Sequence, residues 1–97
     1  MKILAIEKDM VGAQAQDFRP LLKPEAVAVW QLYQNGVIRE TYFRADRHAA
    51  ALVLECASAQ AARAALEGLP LVRAGLIDFE IIPLVPYPGF ERLFGEG

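Results

Sequence analysis

Residues 39–48 gather a set of polar side chains on one short stretch: Arg39, Glu40, Tyr42, Arg44 and His48. Asp78 and Glu80 add carboxylates to a second, otherwise mostly apolar stretch, Leu76 to Leu84. Carboxylates and an imidazole at a pocket wall are groups that move protons next to a carbonyl, and an arginine fork grips a carboxylate at two points. The chemistry within reach is therefore a proton transfer on a small acid. Arg39 or Arg44 would hold the carboxylate, and Glu40, His48 or Glu80 would move the proton. Trp30, Tyr33 and Tyr42 would supply aromatic lining for such a ligand. The competing reading is structural: cross-strand ion pairs for the charged residues, and core for Trp30 and Tyr33.

Other chemistries lack their residues. One His, one Cys and scattered carboxylates show no metal-ligand spacing. No Gly-rich phosphate loop and no Ser/His/Asp or Cys/His arrangement is present, so no metal and no cofactor is expected. Ten basic and twelve acidic residues are interspersed for a net charge of −2, which favours neither nucleic acid nor an anionic membrane. The longest apolar run, Ala49 to Leu54, falls far short of the roughly 20 residues that span a bilayer. Glu7 arrives too early for a signal-peptide core, and the single Cys56 excludes an intrachain disulfide. The expectation is a cytoplasmic protein with a small-molecule ligand.

The elements that must position these residues follow from periodicity. Ile3 to Lys8 reads as a strand, and Gly12 with Gln14-Ala15-Gln16-Asp17 as a loop. Pro20 interrupts the apolar Phe18, Leu21 and Leu22, and Pro24 suits the first turn of a helix. Ala26, Val29, Trp30 and Tyr33 then form an i, i+3, i+4, i+7 stripe that Asn35-Gly36 ends. Val37 to Arg44 alternates as a strand, with Val37, Arg39, Thr41 and Phe43 on one face and Ile38, Glu40, Tyr42 and Arg44 on the other. A turn at Ala45-Asp46-Arg47 makes it a hairpin with His48 to Cys56. Ser58 caps a second helix with the stripe Ala62, Ala65, Leu66 and Leu69, stopped by Gly68 with Pro70 beyond. Leu76 to Leu84 is the last strand. The order β-α-β-β-α-β predicts an α+β, ferredoxin-like fold, with two helices on one face of a four-stranded antiparallel sheet.

The opposite face of that sheet should also be covered. The strand at 49–56 has apolar residues on both faces, Ala50, Leu52, Leu54 and Cys56 against Ala49, Ala51 and Val53, and a sheet with one wet face would alternate cleanly. With 55% apolar residues in a chain of 97, a homodimer or higher homo-oligomer is expected, two sheets packing face to face as a dimeric α+β barrel. Residues 1–84 then form the domain and 85–97 an arm. Pro86 and Pro88 stiffen the arm, while Tyr87, Phe90, Leu93 and Phe94 give it an apolar surface to lay over a neighbour.

Several stretches resemble the muconolactone isomerase family. They are the helix ending at Gly36, the strand bearing Arg39, the hairpin, and Gly68-Leu69-Pro70-Leu71 leading to Asp78-Phe79-Glu80-Ile81-Ile82-Pro83-Leu84. The resemblance implies the same barrel fold, assembly as rings of dimers, and a cofactor-free proton shift on a small unsaturated lactone acid. Among polar positions Arg39 matches the family, whose strand is richer in His and Trp where this chain has Glu40 and Tyr42. Two other functions fit the same fold: a non-catalytic module that binds a small molecule or serves assembly, and a cofactor-free monooxygenase.

Overall fold

The computed structural model describes residues 1–95. Four strands, β1 (Lys2–Asp9), β2 (Ile38–Phe43), β3 (Ala50–Glu55) and β4 (Ile77–Pro83), form one antiparallel sheet in the order β2-β3-β1-β4. The helices are α1 (Ala15–Phe18), α2 (Leu22–Gln34), α3 (Ala59–Glu67) and α4 (Pro70–Arg73). Short 3-10 turns cover Arg19–Leu21 and Gly89–Leu93. This is the α+β, ferredoxin-like β-α-β-β-α-β fold, with α1 and α4 as additions.

Three local expectations are corrected. Residues 15–17 are not loop but helix: the Asp17 carboxylate accepts the Gln14 amide at 3.1 Å and so closes the first turn of α1. Pro20 does not delay α2, because a proline is tolerated in the 3-10 turn that feeds directly into Leu22. Beyond α3 there is a further helix rather than a loop. Pro70 forces Leu69 into extended backbone, which stops α3, and its fixed φ then opens α4. Gly68 itself has an ordinary helical φ of −77°, whereas Gly36 (+79°) and Gly75 (+74°) make the left-handed turns into β2 and β4.

The core lies between the sheet and the α3–α4 pair. Ile3 and Ala5 of β1, Leu52 and Leu54 of β3, and Ile77 and Phe79 of β4 face it and are buried. Ala62, Leu66, Leu69 and Leu71 close it from the helix side. Burying each large side chain contributes about 1.5–3 kcal/mol. The Ser58 hydroxyl accepts the Ala61 amide at 3.1 Å and fixes where α3 begins, an interaction of about 1 kcal/mol.

α2 is docked differently. None of its thirteen residues is fully buried, and it meets the core only through Ala28, Val29 and Leu32. Ala26, Trp30 and Tyr33 of the stripe, with Val29 at its border, face a space between helix and sheet. That gap is the site described next.

Candidate functional site

The gap between α2 and the sheet is an open cleft of about 1330 Å³. Its floor includes Ala50, Leu52 and Phe79, one wall is the α2 stripe, and Leu69 with Leu71 of α4 closes one end. The lining is mainly apolar with a few polar groups, the composition of a small-molecule site.

Two glutamates that sequence reasoning did not single out face this cleft. Glu25, in the first turn of α2, is half-buried, and its Oε1 accepts the Leu71 amide of α4 at 2.9 Å. No other described residue bonds its second oxygen, and that oxygen is not fully buried. Burial pushes the Glu25 carboxyl above its ordinary value of 4.5; the Leu71 amide pulls it back, and the charge of Glu7 adds to the rise. Glu7 is the second glutamate. It continues the inward face of β1 after Ile3 and Ala5, and its Oε1 accepts the Ala50 amide of β3 at 3.0 Å. Period-two alternation along β1 signals Glu7, and Glu25 stands four positions before Val29 at the border of the helical stripe. Both signals lay in the sequence.

Strand β2 departs from simple alternation. A β-bulge between Ile38 and Glu40 leaves Arg39 as the extra residue, so Ile38 opposes Leu54 while Glu40 opposes Val53. Ile38, Thr41 and Phe43 therefore take the helix side, and Glu40 and Tyr42 the other. That extra residue corrects both expected groupings: Arg39 does not share a face with Thr41 and Phe43 as a regular strand residue, and Ile38 lies on the core side, away from Glu40 and Tyr42. Arg39 reaches the cleft, where its Nε donates to the Gly36 carbonyl at 2.6 Å. Glu40 and Tyr42 line its rim, with the Tyr42 hydroxyl donating to Glu40 Oε1 at 2.7 Å, an interaction that raises the phenol above its usual pKa.

The remaining sequence candidates divide. Trp30 and Tyr33 line the cleft, stacked with ring centroids 5.7 Å apart, and are about half exposed rather than core. His48 lies in the hairpin turn, because β3 begins only at Ala50, and stacks on Phe43 at 4.5 Å at the cleft edge. Arg44 is away from the lining: it grips Asp46 through two bonds of 2.9 and 2.7 Å and so folds the hairpin turn. Glu80 pairs in register with Ile6 on the opposite face of the sheet, outside the cleft. The structure thus brings Arg39, Glu40, Tyr42, His48, Trp30 and Tyr33 to one cavity and leaves Arg44 and Glu80 out. Among the described residues no group of three His, Cys, Asp or Glu side chains is placed to hold a metal ion. No helix among them is long and apolar enough to cross a membrane.

The fold is shared with a solved protein. The chain superposes on a crystal structure of muconolactone isomerase with a TM-score of 0.72, covering 91% of this chain and 92% of that one at 23% identity. No family model and no curated protein matches the chain.

Proposed function

We propose that the cleft binds a small cyclic molecule bearing a carboxylate and shifts a proton on it without a cofactor, as an isomerase. The observation that carries this reading is Glu25: a half-buried carboxylate on the lining of a mainly apolar cleft, with one oxygen anchored to the Leu71 amide and the other unbonded. Desolvation strengthens such a group as a base, and the anchor fixes its direction. The protein of the same fold, muconolactone isomerase, carries a name that fits this chemistry.

Each lining group then has a role. The terminal nitrogens of Arg39, whose Nε is held by Gly36, receive the ligand carboxylate. Trp30 and Tyr33 cover one face of the ring, and Phe43 with His48 the edge of the cleft. Glu25 removes the proton from carbon and returns it, so that charge and atoms balance over the cycle. His48 and Glu40 at the rim exchange protons with solvent. Glu80, on the far face, takes no part in this scheme unless a second subunit brings its own groups there.

The cleft exceeds the ~300–1,000 Å³ usual for a small ligand and lies open to solvent on the helix side of the sheet. Leu4, Ile6, Ala51, Val53 and Ile82 share the outer sheet face and are only half-buried, so two copies would pack these faces together as a dimeric barrel. Residues 85–95 carry the exposed Tyr87, Phe90, Leu93 and Phe94, and the molecule spans 59 Å along its longest axis. Tyr87 meets Phe90 edge to face at 5.0 Å and covers Gly89, so this end is already organised for docking on a neighbour. The last two residues of the expected arm, 96–97, lie outside the described residues.

The test is direct. Muconolactone incubated with the protein in D₂O should isomerise or exchange its ring protons, and Glu25→Gln should reduce that rate at least a hundredfold while binding persists. Ligand binding without any exchange would favour the non-catalytic binding module instead.

A further inference from the structure

The two edges of the sheet are finished differently, and the ladder fixes which backbone groups look outward at each. At β4 the Leu84 amide donates to the Lys2 carbonyl at 2.9 Å, so alternation turns the backbone groups of Phe79, Ile81 and Pro83 away from β1. That edge is blunted. Arg63 of α3 donates to the Phe79 carbonyl at 3.0 Å, and Pro83 has no N–H to offer. At β2 the Arg44 amide donates to the Ala49 carbonyl at 2.8 Å, so Glu40 and Tyr42 bond β3 while the N–H and C=O of Thr41 and Phe43 point outward. Among the described residues no helix, loop or side chain bonds them. The bulge at Arg39 lies at one end and leaves 40–43 regular. β2 carries neither Lys nor Pro, and all of it but Ile38 is exposed.

An open edge of this kind accepts another strand, and an edge that pairs with its own copy needs a self-complementary sequence. β2 has one. Paired antiparallel with itself about Tyr42, it sets Thr41 opposite Phe43 of the partner subunit and joins the outward backbone groups of both. Glu40 then falls opposite Arg44 of the partner subunit, on the face that alternation gives to Glu40, Tyr42 and Arg44. Both side chains keep an atom for this contact. Glu40 binds Tyr42 through Oε1 alone, and Arg44 holds Asp46 through Nε and Nη2. Centring the pair on Thr41 instead would set the bulged Arg39 against Phe43 and lose the ion pairs.

We propose that β2 pairs edge to edge with β2 of a second copy, about a two-fold axis at Tyr42, joining two sheets into one. This contact is separate from the face-to-face packing and does not depend on the isomerase reading. Thr41 and Phe43 line the cleft, so the joined sheet carries the cleft floor on to the partner subunit's Phe43.

Cysteine cross-linking of the full chain reads the register. In a Cys56→Ser background, Tyr42→Cys places two thiols across a non-hydrogen-bonded pair, where Cα atoms stand about 4.5 Å apart and a disulfide can close. The same register holds the thiols of Glu40→Cys about 14 Å apart. Under mild oxidation Tyr42→Cys is expected to link two chains about tenfold faster than Glu40→Cys. Adding Glu40→Lys, which sets like charges opposite each other, should slow that link about fivefold, and adding Ile6→Lys on the outer sheet face should leave it in place. Melting curves establish that each variant is folded. Equal rates for Tyr42→Cys and Glu40→Cys overturn the proposal, as does a faster link through Thr41→Cys. An unchanged rate with Glu40→Lys overturns it too, and a link lost with Ile6→Lys assigns the contact to the outer face instead. A folded Tyr42→Cys that stays unlinked overturns it and leaves the edge to an extended peptide of another protein.

Discussion

The Glu25 carboxylate accepts the Leu71 amide across 46 positions of sequence, so a single hydrogen bond ties the start of α2 to α4 and sets one end of the cleft. The same bond places a partly desolvated acid where α2 stands off the sheet. Position and chemistry are fixed together.

This relation makes stability depend on pH. Because the folded proton affinity of Glu25 is raised, its contribution is complete below the ordinary value of 4.5 and is lost as pH rises through the higher folded value. Ionised Glu25 therefore costs stability near neutrality. Glu25→Gln retains an acceptor for Leu71 and should melt at or above the wild-type temperature at pH 7. The advantage should shrink as pH falls below 4.5. Melting curves across that range check the sign, and a pH-independent difference would refute it.

Arg39→Lys should weaken binding of a carboxylate-bearing ligand by about tenfold, because an ammonium cannot make the two-point contact of a guanidinium. Arg39 is exposed, so its melting temperature should hardly change. Calorimetric titration with muconolactone separates the two effects.

Ala62 is fully buried where α3 meets the sheet, whereas Ala65 is only half-buried beside α2. Ala62→Leu should cost about 1–3 kcal/mol through overpacking, and Ala65→Leu distinctly less. Urea unfolding of the two variants ranks them. Equal costs would show that both positions are packed alike.

Assembly is tested on two surfaces. Ile6→Lys places a charge in the centre of the half-buried outer sheet face and should give a smaller species by light scattering. Deleting residues 86–97 should leave the domain folded and also reduce the assembly size or expose the cleft. A truncated protein with unchanged mass, melting temperature and ligand affinity would remove any role for the arm.

Local patterns sufficed for the element order. Alternation in 3–8, the stripes in 26–33 and 62–69, and the turn at Gly36 each depend on a few neighbouring residues, so the ferredoxin-like fold was legible from the chain. Arg39 and the Trp30–Tyr33 pair were legible as cleft candidates for the same reason. The tertiary structure decided which stripe closes on the sheet. α3 brings small Ala62 to the core, whereas α2 is held off with Trp30 and Tyr33 facing the gap. It also decided, through the bulge at Arg39, which side of β2 faces the helices, and through the sheet register that Glu80 looks the other way. The Leu71–Glu25 and Ala50–Glu7 hydrogen bonds join residues 46 and 43 positions apart. Burial, and with it the proton affinity of Glu25, exists only once those distant segments meet.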